Sequence, residues 1–311
     1  MHTLLLIDGN ALMHRAYHAL PPFKSKQGLP TNAVYGFFSM LHKAILDFQP
    51  THIAVCFDTP EPTFRKKLFK GYQAQRPKIE DDLKVQMPTI REALDKGGII
   101  HLEKPGYEAD DLIGTITNQL KKSDCKVLIF TGDKDIFQLI SDKVFVIAPL
   151  VGLANVKLYD HQEVKKRLSV APDQIPDYKA LMGDSSDNYP GARGIGPKTA
   201  VQLLNQFNNI ENLFANLDKL ENQRVKKILQ ENKENIFLSK KLAQIHPGVK
   251  LDFNFDQTKF DQFKEDLKDY LLCLDIKTLT QRLFSNLDKN KSNKSNKENN
   301  LKINNKQMGL F

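Results

Sequence analysis

The stretch "GIIHLEKPGYEADDLIG", Gly98 to Gly114, passes from one kind of secondary structure into another. Ile99, Ile100 and Leu102 form a short apolar, strand-like run, which Pro105 and Gly106 interrupt. Leu112, Ile113, Ile116 and Leu120 then recur at helical spacing. The same alternation fills the first half of the chain. "TLLLID" leads to a helix near Val34–Asp47, "HIAVCFD" leads to a basic segment, and "KVLIFTGD" precedes another short helix, with "KVFVIAPL" and "NVKLYD" beyond it. Strands alternating with helices predict an α/β fold: a mainly parallel sheet flanked by helices, with right-handed crossovers. From about Asp160 the strand signals stop, and helical patterns dominate as far as Leu287. The expected organisation is an α/β core over 1–165, a helical domain over 166–285 and a polar tail over 286–311.

The opening stretch also crowds Glu108, Asp110 and Asp111 at a helix start. Acids there favour the macrodipole by about 0.3–1 kcal/mol each, which is an ordinary reason for them. Other strands end in acid as well: Asp8 closes "LLLI", Asp58 closes "IAVCF", and Asp133 with Asp135 follows "VLIFTG". Ligands of open α/β sheets bind outside the carboxyl ends of the strands, so independent strands aim these carboxylates at one rim. Gathered carboxylates need cations between them. An oxygen-only donor set points to Mg²⁺ or Mn²⁺ rather than zinc. Several carboxylates suit a two-metal centre, with ions about 3.5–4 Å apart, for phosphoryl displacement.

Further on, "LMGDSSDNYPGARGIGPKTAVQLL" adds Asp184 and Asp187, spaced to share one face. In "GIGPKTA", Gly194 and Gly196 let backbone N–H groups approach a phosphate at a helix N-terminus opened by Pro197, and Lys198 adds charge. That is a helix-hairpin-helix signal, to be weighed against a plain glycine-capped turn. Between Phe64 and Lys78, "FRKKLFKGYQAQRPK" interleaves basic residues with Phe64, Phe69 and Tyr72 and contains no acid, a pattern suited to single-stranded nucleic acid.

Composition narrows the class. The chain has 311 residues, 41% hydrophobic and 26% charged, as in a soluble globular protein of one or two domains. No apolar run approaches the ~20 residues of a membrane span, and "LLLI" meets Asp8 too soon for a secretory segment, so no membrane role and a cytoplasmic location are expected. Cys56, Cys125 and Cys273 are isolated and suggest neither a disulfide framework nor a zinc site. The net charge is +8. The lysines of the tail, set against Asp288 and Glu298, supply about half of it, an excess compatible with a polyanionic partner.

In order along the chain, "IDGNALMHRAYHAL", "TNAVYGFFSML", "AVCFDTPEPTFR", "GYEADDLIG", "TGDKDIFQLI", "LMGDSSDNYPG" and "GIGPKTA" resemble the bacterial 5′-nuclease family, that is, the 5′→3′ exonuclease domain of DNA polymerase I and its flap-endonuclease relatives. The resemblance runs from about Leu4 to Leu283. It implies metal carboxylates at Asp8, Asp58, Glu108, Asp110, Asp111, Asp133, Asp135, Asp184 and Asp187, holding two or more Mg²⁺ or Mn²⁺ ions, with Asp111 shared between two sites. It places Arg15, Arg65 and Arg76 near the scissile phosphate and a helical arch over about 60–90. It implies DNA binding by Tyr72 and by the hairpin residues Gly191, Gly194, Gly196, Lys198 and Thr199, with K⁺ at the hairpin turn. One position departs: where the family has a lysine after the arch tyrosine, this chain has Gln73, and Lys70 could cover it from the same helix face.

The implied reaction is hydrolysis of phosphodiesters at 5′ ends, nicks and 5′ flaps of DNA, and of RNA primers paired to DNA, by a monomeric enzyme that stands apart from any polymerase. A non-catalytic flap-binding protein would have lost a metal carboxylate. A compact metal-dependent ribonuclease would lack the long helical region. The last five residues, Gln307 to Phe311, resemble the bacterial sliding-clamp-binding motif, with Gln307 at the rim of a pocket and Met308, Leu310 and Phe311 as apolar anchors. The Asn/Lys/Ser tract before them reads as a disordered tether with a reach of roughly 25 Å.

Overall fold

The computed structural model describes residues 2–150, 152–153 and 155–285. Six strands form one sheet in the order β3-β2-β1-β4-β5-β6. They are β1 (His2–Asp8), β2 (His52–Phe57), β3 (Ile100–Glu103), β4 (Cys125–Phe130), β5 (Val144–Pro149) and β6 (Val156–Tyr159). The first five run parallel, and β6 pairs antiparallel with β5 at the edge. The central strand reads as a continuous apolar run because both of its faces are covered. Leu4 and Leu6 belong to one core and Leu5 and Ile7 to the other, as the two-residue period of a strand requires.

The N-terminal helices are α1 (Gly9–Ala19), α2 (Asn32–Phe48), α3 (Phe64–Leu68), α4 (Asp81–Gly97) and α5 (Ala109–Leu120). On α5, Leu112, Ile113, Ile116 and Leu120 are buried against the Leu4–Leu6 side, while α1, α2 and α4 cover the opposite side. Beyond β6 come α6 (His161–Leu168), α7 (Ile175–Met182), α8 (Pro197–Phe207), α9 (Ile210–Ala215), α10 (Gln223–Glu231), α11 (Lys233–Ala243) and α12 (Glu265–Cys273). α7 and α8 flank the loop with the expected hairpin glycines, and α11 packs beside α7.

Two expectations need correction. The helical region does not stay together as far as residue 285. Phe260, Phe263, Leu267, Leu271, Leu279 and Phe284 return to the α/β core and share a cluster with Leu41, Ile90 and Leu94. The apolar faces of α2 and α4 would otherwise be left in water, at about 25 cal/mol per Å². The arch over 60–90 is also less helical than expected. α3 has five residues, 70–75 form turns, 76–80 have no regular secondary structure, and helix resumes only at Asp81. A side chain at Gly71 would collide with the Phe69 ring at 2.8 Å, and Gln73 has a φ of 54°, a left-handed conformation that a helix does not admit. Lys70 and position 73 therefore do not share a helix face.

Candidate metal centre

The strand ends deliver their acids to one rim. Asp8 ends β1 and caps α1, accepting the Ala11 N–H at 2.9 Å. Its other oxygen accepts the Thr131 hydroxyl at 2.8 Å, just beyond β4. The Thr131 oxygen in turn receives the Asp133 N–H at 3.0 Å, and the Asp133 carboxylate receives the Asp135 N–H at 2.8 Å. Asp58, one residue past β2, accepts the Ala109 N–H at 2.7 Å and so ties that strand end to the start of α5. The strand order reverses between β1 and β4, the switch point at which such folds open their binding crevice.

These carboxylates are crowded and poorly compensated. Burial, with repulsion from Asp58 and Asp133, pushes Asp8 up to about 7. Burial likewise raises Glu108 to about 7 against the pull of Arg65. Asp110 is raised well above the carboxylate range by burial and by Asp133, Asp8, Glu108 and Asp58, all negative. Asp58 is raised by burial too. Asp135, Asp184 and Asp187 each offer an oxygen within 4.8 Å of the others. Lys179 from α7 inserts its ammonium between Asp135 and Asp184, 2.5 Å from the latter. Burial and Asp133 lift Asp135 to about 7, whereas at Asp184 burial is outweighed by Lys179 and the value falls. Oxygen donors alone, mutual repulsion and an ammonium already drawn in together fit a divalent cation bound through carboxylates.

Asp111 and Arg65 are paired with each other in the interior. Asp111 is fully buried, and both of its oxygens are engaged. Arg65 donates to them at 2.7 and 2.8 Å, the Glu108 N–H at 3.1 Å and the His246 N–H at 2.8 Å. A carboxylate has about four lone-pair sites, and in this structure four donors fill those of Asp111. Arg65, 2% exposed, also donates to the Leu242 and Gln244 carbonyls and lies 3.3 Å from Glu108. Its fork is consumed inside the protein, so it does not face a phosphate. Arg15 points away as well, donating to the Leu150 and Gly152 carbonyls. Arg76 remains at the cleft, half exposed and 2.6 Å from Asp187. Lys70 is exposed on the turn.

The basic segment straps across the acids. Tyr72 is buried, with its hydroxyl 3.2 Å from Glu108 and 3.1 Å from Asp187. The Gln73 N–H donates to the Asp187 carbonyl, and the Asn188 amide donates to the Gly71 carbonyl. A cavity of about 390 Å³ among Arg76, Asp133, Asp135, Lys179 and Asp187 shares Asp184 with one of about 580 Å³ running under Phe69, Asn188 and Tyr189 to Gly196. The second cavity ends at the N-terminus of α8, where Gly196 caps without a side-chain bond, Gly194 has a φ of 102°, Lys198 is exposed and Thr199 is half-buried. Gly191 is buried in the loop: a side chain there would meet the Gly183 nitrogen at 2.1 Å, so it shapes the hairpin from within.

Lys179, Asn188 and the carbonyls of Leu242 and Gln244 were not marked by the sequence pattern. Only the five-residue spacing of Lys179 ahead of Asp184 signals one of them. The expected clamp residues, Gln307, Met308, Leu310 and Phe311, lie outside the described residues.

Comparisons with known proteins identify the family and the fold. Residues 3–169 match the family model of the 5′-3′ exonuclease N-terminal resolvase-like domain, and residues 170–266 match the 5′-3′ exonuclease C-terminal SAM fold. The chain is 38% identical over 284 residues to a 5′-3′ exonuclease of Aquifex aeolicus, covering 91% of this chain and 96% of that protein. It is 41% identical over 281 residues to DNA polymerase I of Bacillus subtilis, covering 90% of this chain but only 32% of the polymerase, about a third of its length. Among solved structures, the phage T5 5′-exonuclease with bound zinc superposes with a TM-score of 0.65 at 20% identity, over 91% of this chain and 99% of that one. The catalytic core of Rad2 in complex with DNA substrate superposes at 0.58 and 18% identity, over 92% and 93%. At these identities the two structures establish the shared fold.

Proposed function

The chain belongs to the 5′-3′ exonuclease family and is a phosphodiester-cleaving nuclease, and from that premise we propose that it trims 5′ ends and cuts 5′ flaps of DNA, and of RNA primers paired to DNA, with two divalent ions of the Mg²⁺ or Mn²⁺ class. The observation that carries this reading is the meeting of uncompensated carboxylates from several strand ends with Asp184 and Asp187 of the hairpin loop. Asp8, Asp58, Glu108, Asp110 and Asp133 would hold one ion, and Asp135, Asp184 and Asp187 the other. Bound there, the ions would supply charge stabilisation for the attacking and leaving oxygens of an in-line displacement.

The remaining work falls to side chains and backbone. The open N–H groups at the start of α8, with Lys198 and Thr199 beside them, hold duplex phosphates, and the hairpin carbonyls would hold a K⁺ ion that adds positive charge there. Arg76 exchanges Asp187 for the reacting phosphate, while Lys66, Lys67 and Lys70 add sequence-independent attraction along the single strand. Tyr72 must swing out of the acids for substrate to enter, and a nucleobase stacks on it there. For a cation to sit between Asp135 and Asp184, Lys179 would have to give up its place there. Arg65 and Asp111 fix the wall from behind, as positioning residues.

Incubation with 5′-labelled flap, nicked duplex and RNA–DNA substrates, in Mg²⁺ and in EDTA, tests the reading. Metal-dependent 5′ cleavage supports it; metal-independent cleavage, or none, refutes it. The enzyme acts as a monomer in the cytoplasm, and its Gln307–Phe311 peptide docks on a sliding clamp, raising its effective concentration at nicks. Deleting that peptide should remove clamp binding and leave cleavage of short free substrates intact; equal clamp binding after deletion would exclude the docking role.

A further inference from the structure

A second cluster of metal-ligating groups lies outside the carboxylate cleft. His14 and His18 are one turn apart on α1, their rings 23° from parallel with centroids 6.3 Å apart. Glu80, the residue that caps α4, brings its carboxylate to 3.7 Å from His18 Nε2. The three side chains each offer one ligand atom, all within 4.8 Å of one another. Zinc bonds of about 2.0–2.2 Å would set tetrahedral ligand atoms about 3.3 Å apart, so small side-chain rotations suffice. His18 and Glu80 have that freedom, with side chains 58% and 45% exposed. His14 is the half-buried anchor; burial, then the His18 charge, lowers its pKa and keeps its lone pair free.

The donor chemistry differs from that of the cleft. Two imidazoles and one carboxylate, with a fourth position left to water, form the donor set of a borderline cation such as Zn²⁺, whereas carboxylates alone favour Mg²⁺ or Mn²⁺. The location also matters. Glu80 ends the 76–80 segment that begins at Arg76, and α1 is capped by Asp8. A metal held by His14, His18 and Glu80 would therefore fasten the exit of the Tyr72 strap to the helix that the cleft carboxylate Asp8 caps. Arg76, whose charge opposes a cation near His14, is already neutralised by Asp187.

The geometry points to a separate Zn²⁺-class site at His14, His18 and Glu80 that restrains the strap over the carboxylate cleft. Zinc titration of the full chain in saturating Mg²⁺, against a chromophoric chelator, tests it with four proteins: wild type, His18→Ala, Glu80→Gln and, as the cleft control, Asp135→Asn. Wild type and Asp135→Asn should bind one equivalent of Zn²⁺ that His18→Ala lacks, and Co²⁺ in its place should give a tetrahedral visible band with the same dependence. Glu80→Gln should weaken this site by more than the roughly 10–100-fold typical of losing an outer-shell partner. Zn²⁺ should slow amide exchange over 73–80 in wild type and not in His18→Ala, whose exposed substitution leaves the melt unchanged. Equal Zn²⁺ stoichiometry and affinity in wild type and His18→Ala would overturn the site, and unchanged exchange in zinc-loaded wild type would overturn the restraint.

Discussion

Replacing Asp111 with alanine should cost fold stability before it costs metal binding. The substitution strips Arg65 of its bidentate partner while leaving the guanidinium 2% exposed, held only by Glu108 at 3.3 Å and the carbonyls of Leu242 and Gln244. Removing one member of a buried ion pair costs about 3–5 kcal/mol. Asp111 also closes the capping box at the start of α5, a cap worth about 1 kcal/mol, and the Glu108 and His246 N–H groups lose their acceptor. Together these come to about 4–6 kcal/mol, and at roughly 2–4 °C per kcal/mol for large domains, toward the lower end for this length, the melting temperature in EDTA should fall by about 8–12 °C. Arg65→Met alone should fall comparably, and the double variant should fall by much less than the sum, because each single change leaves a buried charge unpaired. The rise in melting temperature produced by saturating Mg²⁺ should survive in Asp111→Ala and be lost in Asp8→Asn. Were Asp111→Ala instead to melt within about 2 °C of wild type in EDTA and lose its Mg²⁺ increment, Asp111 would be a ligand and the four-donor argument would be wrong.

Two further outcomes follow from the same electrostatics. Asp8, Glu108 and Asp135 have folded values of about 7, above their unfolded values near 4, so the folded metal-free protein binds more protons between those limits. Its stability in EDTA should therefore fall as pH rises from about 4.5 to 7 and level off above, and Mg²⁺ should largely abolish the fall; thermal melts across that range that stay flat or rise in EDTA would contradict this. Lys179→Met should leave Asp135 and Asp184 without their ammonium, lowering the melting temperature in EDTA and enlarging the Mg²⁺ increment relative to wild type. Calorimetry showing weaker Mg²⁺ binding in that variant would mean that Lys179 supports the ion rather than standing in for it.

Much of this was legible in the chain itself. β1, β2 and β4 are written as apolar runs followed closely by acid, because a parallel sheet buried on both faces needs continuous hydrophobic strands and exposes its ligands at their carboxyl ends. That pattern fixed the α/β class and the rim on which Asp8, Asp58 and Asp133 meet, and the glycines before Pro197 marked the hairpin. Local pattern carries no information about which acid finds a cation across the fold. Asp110 and Asp111 are neighbours in sequence, yet the roughly 100° between successive helical residues sends Asp111 inward to Arg65 and leaves Asp110 among other acids. The arch segment reads as basic and helical, but Gly71 and the left-handed Gln73 fold it so that Tyr72 reaches Glu108 and Asp187, partners 36 and 115 positions away. Lys179 owes its place between Asp135 and Asp184 to the packing of α7 against the loop after β4. The sequence determines which faces are apolar and where strands end; only the tertiary structure decides which buried charges are paired, because pairing depends on distances between segments that sequence spacing does not encode.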